Sequence, residues 1–496
     1  KENNSSISSV SLLPQQNLVL SQLDVTQTIF ISKGAEMAGH PITVDYKGRI
    51  AIITLNQPEK LNSLNQEQFY LLGELLREVA THEEVVITLL IGTGRFFSSG
   101  ADMSDLSRSD IVFHHHSSSL NLTPKNETPI NWADICKNAI PSTYTRPMFF
   151  NGHLQTIRIL LDNPELPIYY KRWMFQQSNK LFEGEFAVDF AIRSLQDSEG
   201  QSPPEITTMF TKKEFENIGS LDSKPMLVVL HGMNGGSGEA YLRRSLMPFI
   251  NGGEEWEACV VNSRGCAGSQ LGNGILYNAR STWDLRQVVE WLQQKFPNRP
   301  LFALGFSMGA NMLVHYLAEE GQKCPIRAAA ICSNPWNLEV LSHHLQSSFF
   351  MREVYSRGLT ASLKKFLNTH EQKIMTNPDV DKNEVARIQY LHEFDRAIQK
   401  PMWKYPTETV YYREASSVNP LLSVRIPIFA LNSEDDPLSP QMGLPIEEAK
   451  ANPYVVLVVT SFGGHLGWFQ QDGSRWFIQA TGQRTNYPQY FPNETF

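Results

Sequence analysis

Cysteine is scarce: Cys136, Cys259, Cys266, Cys324 and Cys332 are odd in number, scattered through 496 residues, and form no Cys-x-x-Cys pair. That argues against a disulfide framework and against a structural zinc site, and fits a reducing compartment. Basic residues are outnumbered, 43 against 51 acidic, with no Lys/Arg cluster, which argues against a nucleic-acid partner. No apolar run approaches the roughly 18 residues of a membrane span. The first 27 residues lack the basic start and apolar centre of a secretory leader. Asn493-Glu494-Thr495-Phe496 is not a peroxisomal tripeptide. With Lys1 in first place the chain reads as a fragment or an incomplete gene model. The expected setting is intracellular, in the cytoplasm or on a lipid surface. His114-His115-His116 is the only histidine run, and its polar neighbours favour an incidental linker tract over a metal site.

What is present suggests two or three domains. Residues 1–40, rich in Ser, Asn and Gln, are expected to be poorly ordered. Strand-like runs follow at Ile42–Tyr46 and Ile50–Leu55, then a helical pattern from Asn65 to Ala80 and a strand at Val85–Ile91. Leu61-Asn62-Ser63-Leu64 and Gly94-Arg95-Phe96-Phe97-Ser98-Ser99-Gly100-Ala101-Asp102 resemble the start of the crotonase superfamily, notably fungal enoyl-CoA isomerases. The resemblance implies one oxyanion-binding N–H near Ser99 to Ala101, and it stops after residue 107. No second donor loop and no catalytic glutamate follow, so this incomplete α/β fragment (41–107) is expected to be catalytically silent, with apolar sheet surface left uncovered. Residues 108–140, rich in Ser, His, Asn, Thr and Pro, read as a linker.

From 141 to 480 short apolar runs alternate with helical patterns, the signature of a mainly parallel sheet with helices on both faces, followed by a tail at 481–496. Leu301–Phe306 is a strand that ends in Gly305-Phe306-Ser307-Met308-Gly309 and opens a helix, the Gly-x-Ser-x-Gly elbow that exposes a nucleophilic serine. A serine hydroxyl needs a base, and a histidine base needs an acid behind it. Ser307, the acidic loop Glu434-Asp435-Asp436 and His465 each follow a strand, in the order nucleophile, acid, histidine that belongs to the α/β-hydrolase fold. The oxyanion donors expected are the N–H of Met308, next after the nucleophile, and that of Met233 in the His231-Gly232-Met233-Asn234-Gly235 loop. Between about 337 and 416 the strand rhythm lapses into a helical insertion rich in Phe, Tyr, Leu and Met (Phe349-Phe350-Met351, Leu363, Phe366, Met402-Trp403). A cap lined for an acyl chain is the functional reading; packing within the cap itself competes for each residue.

Phe150-Asn151-Gly152-His153-Leu154-Gln155-Thr156, His231-Gly232, Asn262-Ser263-Arg264-Gly265-Cys266, the elbow, Asn334-Pro335-Trp336, Asp435-Asp436-Pro437 and Gly463-Gly464-His465-Leu466-Gly467 together resemble the ABHD1/ABHD2/ABHD3-like branch of the α/β-hydrolases. Its fungal members include monoacylglycerol lipases and medium-chain ethyl ester synthase/esterases. The resemblance implies an α/β-hydrolase fold, Asp436 as the acid (Asp435 and Glu434 stay open), a lipid ester or acyl-thioester (acyl-CoA) substrate and no cofactor; no metal is expected from the cysteine spacing. Peripheral contact with a membrane or lipid droplet is compatible with it.

Three readings compete: a serine hydrolase of acyl, medium-chain esters, with an alcohol acceptor making it an acyltransferase; an enoyl-CoA isomerase/hydratase-related or acyl-thioester step in fungal fatty-acid or secondary metabolism; and a non-catalytic lipid-binding use of the hydrolase fold. The full set of Ser, Asp and His favours the first.

Overall fold

The computed structural model describes residues 40–100, 108–123, 128–141, 144–145, 151–160, 162, 166–192, 206–251, 256–470 and 473–478. The expected disorder of the first forty residues and the tail at 481–496 fall almost wholly outside them. Contacts divide the chain into two units, 1–107 and 108–496.

In the first unit, β1 (Ile42–Lys47) and β2 (Ile50–Leu55) form an antiparallel hairpin, turned by Gly48 at φ +60. The helix Gln66–Ala80 is started by a capping box between Asn65 and Gln68 and leads to β3 (Ile87–Gly92), parallel to β2. Ile42, Ala51, Ile53, Leu55, Leu75 and Val79 are buried together. By contrast, Ile87, Leu89, Leu90 and Ile91 on β3 are all exposed, so an apolar strand stands at the sheet edge. The N–H of Ser99 donates to the Leu61 carbonyl and that of Gly100 to Ser98 Oγ. Ala101 and Asp102 lie outside the described residues.

The second unit is built on a ten-stranded sheet. In chain order its strands are β4 (Ile111–His115), β5 (Tyr169–Gln176), β6 (Glu185–Ile192), β7 (Thr207–Met209), β8 (Met226–Leu230), β9 (Glu257–Val261), β10 (Leu301–Phe306), β11 (Ile326–Cys332), β12 (Ile428–Ser433) and β13 (Val455–Thr460). Across the sheet they run β7-β5-β6-β9-β8-β10-β11-β12-β13-β4. From β9 to β13 every neighbouring pair is parallel; β6 against β9 and β4 against β13 are antiparallel. The apolar runs are continuous because both faces are covered. Met226, Val228 and Leu230 join the core cluster that includes the helices Trp283–Lys295 and Met308–Glu320, whereas Leu227 and Val229 join the cluster that includes Ala240–Asn251 and Trp132–Ala139.

The linker expected at 108–140 is not one. Ile111–His115 pairs with β13 from Thr460↔Ile111 to Val456↔His115. Trp132, Ala133, Ile135 and Cys136 of the helix Trp132–Ala139 are buried in the core, and Trp132 Nε1 donates to the Ile428 carbonyl at 3.2 Å. Composition averaged over the segment masks a short strand and one helical face, and the histidine run lies largely within that strand. Among the described residues no strand interrupts 337–416, which is helical and includes two π-helical turns, Met351–Ser356 and Asp395–Gln399.

Candidate active site

Ser307 follows β10 directly and precedes the helix Met308–Glu320, with φ +52 and ψ −122, a backbone conformation that side chains rarely tolerate. The flanking glycines explain how the turn closes. A Cβ on Gly305 would stand 2.7 Å from Ala310 Cα, and one on Gly309 would stand 2.3 Å from the His231 carbonyl oxygen. No side chain fits either place, so the turn can lift the hydroxyl out of the sheet.

The three side chains expected to cooperate do meet. His465 Nε2 lies 2.8 Å from Ser307 Oγ, and His465 Nδ1 lies 2.9 and 3.1 Å from the two oxygens of Asp436. Asp436 is 2% exposed and also accepts the Leu438 N–H at 2.7 Å. Of the acids left open by the sequence, Asp435 points elsewhere: its Oδ1 accepts the Gly464 N–H at 2.8 Å, and burial pushes its carboxyl up to about 6. It holds the histidine loop rather than the imidazole.

Several groups that fix this loop carried no role in the sequence reading. Thr156 Oγ accepts the His465 N–H at 2.9 Å, and Ser333 Oγ accepts the Leu466 N–H at 3.0 Å. Gln155 Oε1 accepts the Phe469 N–H at 2.9 Å. The Asn151–Thr156 motif is thus a brace beneath the histidine, visible in the sequence as a motif but silent about its use.

The loop after β8 approaches the nucleophile closely, since a Cβ on Gly232 would lie 3.3 Å from Ser307 Cβ. Of its four N–H groups from Gly232 to Gly235, Gly232 donates to Tyr241 Oη, Asn234 to Tyr277 Oη and Gly235 to the Gly232 carbonyl. No described residue accepts from Met233. Behind the loop His231 is neutral: burial lowers it to about 4, its Nε2 accepts the Ser263 N–H at 3.0 Å, and its Nδ1–H donates to the Gly232 carbonyl. Asp189, fully buried, accepts Arg172 through both oxygens together with Ser237 Oγ and Asn262 Nδ2, tying the end of the same loop to the sheet.

A cavity of about 290 Å³ opens on Ser307, Met308, Met233 and His465. Its wall is mainly apolar and draws on the cap, including Leu359, Leu363, Phe366, Leu391 and Phe394. Of the cap residues singled out from sequence, Leu363 and Phe366 line it, Met351, Met402 and Trp403 pack within the cap, and Phe349 is exposed. Among the described residues no group of three or more His, Cys, Asp or Glu side chains is placed to hold a metal, and no helix is long and apolar enough to cross a membrane.

Comparison with known proteins agrees with this architecture. The α/β-hydrolase-fold family model matches residues 225–471, and the enoyl-CoA hydratase/isomerase model matches residues 50–118. The latter match runs past the first unit into β4, which belongs structurally to the second. A monoacylglycerol lipase of Saccharomyces cerevisiae is 34% identical over 354 residues, spanning 67% of this chain and 77% of the lipase. A medium-chain fatty acid ethyl ester synthase/esterase of the same yeast is 28% identical over 68% of this chain and 84% of its own length. Human phospholipase ABHD3 is 36% identical over 50% of this chain and 59% of its own. With the elbow, the parallel sheet and the order of the strand-end loops in place, the chain belongs to the α/β-hydrolase family and carries a crotonase-like fragment ahead of it.

Proposed function

We propose that this protein hydrolyses carboxylic esters of acyl lipids through an acyl-enzyme on Ser307. The observation that carries the reading is the contact of His465 Nε2 with Ser307 Oγ at 2.8 Å, backed by a buried Asp436. Ser307 Oγ attacks the ester carbonyl carbon while His465 Nε2 takes its proton, and Asp436 stabilises the imidazolium. The carbonyl oxygen becomes an oxyanion facing the N–H groups of Met308, on the first turn of a helix whose dipole favours negative charge, and of Met233. Collapse breaks the bond to the alcohol, which leaves with the proton from His465. Water then attacks the acyl-serine with His465 as base, releasing the acid and restoring Ser307.

An alcohol in place of that water yields a new ester, so alcohol acyl transfer is part of the proposal; the relationship to an ethyl ester synthase/esterase supports it. A medium-length acyl group is favoured by that relationship and by a cavity of about 290 Å³, near the lower end of the roughly 300–1,000 Å³ common for ligand sites. The crotonase-like fragment is proposed to be silent, since the N–H groups of Ser99 and Gly100 are engaged within it. The test is fluorophosphonate labelling of the whole chain beside Ser307→Ala, with an ester panel of graded acyl length in water and in ethanol. Ser307-dependent labelling and turnover are expected; their absence would favour a lipid-binding role. The Ser307→Ala chain is expected to turn over no enoyl-CoA.

A further inference from the structure

The cavity above Ser307 is not apolar throughout. On the cap side Asp395 and Gln399, each 7% exposed, line the same space as the nucleophile. They begin and end a single π-helical turn, Asp395–Gln399, a distortion that often marks a functional site. Asp395 Oδ2 accepts the Tyr412 hydroxyl at 2.7 Å, and no described residue hydrogen-bonds to its Oδ1. Gln399 Nε2 donates to the Tyr277 carbonyl at 3.2 Å, leaving its Oε1 buried without a partner. An unpaired amide oxygen and a half-paired carboxyl, in a wall that holds Leu391 and Phe394 beside Ser342 and Tyr411, weaken the cap unless something pairs with them. Acyl-chain methylenes cannot do so. A hydroxyl, donating to one oxygen and accepting from a protonated carboxyl, can do both. Burial pushes the Asp395 carboxyl up to about 7, so it carries such a proton in neutral solution much of the time.

We propose that Asp395 and Gln399 form a hydroxyl-binding subsite in the cavity, which selects acyl esters that carry a free hydroxyl over those that carry none. The inference rests on the ester-hydrolase reading for its substrate, but its test does not need turnover. Ligand affinity is measured on the whole Ser307→Ala chain with three non-hydrolysable ethers: 1-O-octylglycerol, ethyl octyl ether, and ethyl 8-hydroxyoctyl ether. Either hydroxylated ether is expected to bind about tenfold or more tightly than the plain one. Preference for octylglycerol places the hydroxyl on the alcohol side of the ester, and preference for the hydroxyoctyl ether places it on the acyl side. Adding Gln399→Met is expected to erase the preference, bringing the affinities for the three ethers together. Equal affinity for all three ethers in Ser307→Ala overturns the subsite even if the wild-type chain hydrolyses esters. A parallel loss for all three on adding Gln399→Met overturns the assignment to that residue. Failure of Ser307 to take a fluorophosphonate, with the hydroxyl preference intact, would sink the catalytic reading alone.

Discussion

At the residue scale, two adjacent aspartates divide two tasks. Asp436 touches the imidazole and Asp435 holds the loop that carries it. In the proposed mechanism Asp436→Asn removes the charge that stabilises the imidazolium and misassigns the tautomer, so kcat is expected to fall by about 10⁴ with the fold intact. Asp435→Asn is expected to act mainly on stability, read as a lower melting temperature with kcat within about tenfold. Asp395 supplies a pH test. Its neighbours that titrate or carry charge are Tyr411, Tyr412 and Glu408, and burial raises its carboxyl from 3.8 to about 7. Because the folded pKa is the higher one, folding favours the protonated form: that contribution is complete below pH 4 and is lost as pH rises through about 7. Melting temperature is therefore expected to decline between pH 5 and 8 in the wild type and to decline less in Asp395→Asn. An equal decline in both would assign the trend to other groups. The positions of Ser307, Met233, Met308 and His465 were legible because each sits where a strand ends in a glycine-rich turn. The bracing roles of Thr156, Ser333 and Asp435 were not, since a side chain that accepts a loop N–H leaves no spacing rule in the sequence.

At the element scale, the strands of the second unit were legible as continuous apolar runs, and the helical cap as the lapse of that rhythm. The strand Ile111–His115 and the helix Trp132–Ala139 were hidden: five residues and eight residues, set among Ser, His and Asn, disappear into the composition of their surroundings. Their apolar positions are nevertheless the ones that pack, with Trp132, Ile135, Cys136 and Ala139 at helical spacing. The opposite case is β3, whose apolar run is plain in the sequence but whose Ile87, Leu89, Leu90 and Ile91 side chains are exposed. An exposed, flat apolar edge invites pairing with another chain. Leu89→Lys is expected to raise the concentration at which the protein begins to scatter light, with ester hydrolysis unchanged. If the onset of scattering does not move, β3 is not the edge responsible.

At the scale of the whole molecule, the boundary between the units decides what a working hydrolase needs. Composition and strand rhythm place it at 141, whereas contacts place it at 108. The segment between supplies an outer strand that covers the free edge of β13 and a tryptophan that is 1% exposed in the core. Losing a buried tryptophan alone costs about 3–5 kcal/mol, a large part of the roughly 5–15 kcal/mol that holds a typical domain together. The edge of β13 would also be laid bare one strand away from β12, after which the loop bearing Asp436 begins. The first unit has its own small core, and the hydrogen bonds that join Ser307, His465 and Asp436 lie within the second. A chain starting at Arg108 is therefore expected to retain fluorophosphonate labelling and kcat/KM within about threefold of the full chain, and one starting at Pro141 to be recovered aggregated or unfolded. Circular dichroism and labelling of both truncations distinguish the outcomes. Full activity from the shorter chain would show that β4 and the Trp132 helix are dispensable to the fold, and loss of activity from the longer one would give the crotonase-like fragment a structural part in the hydrolase.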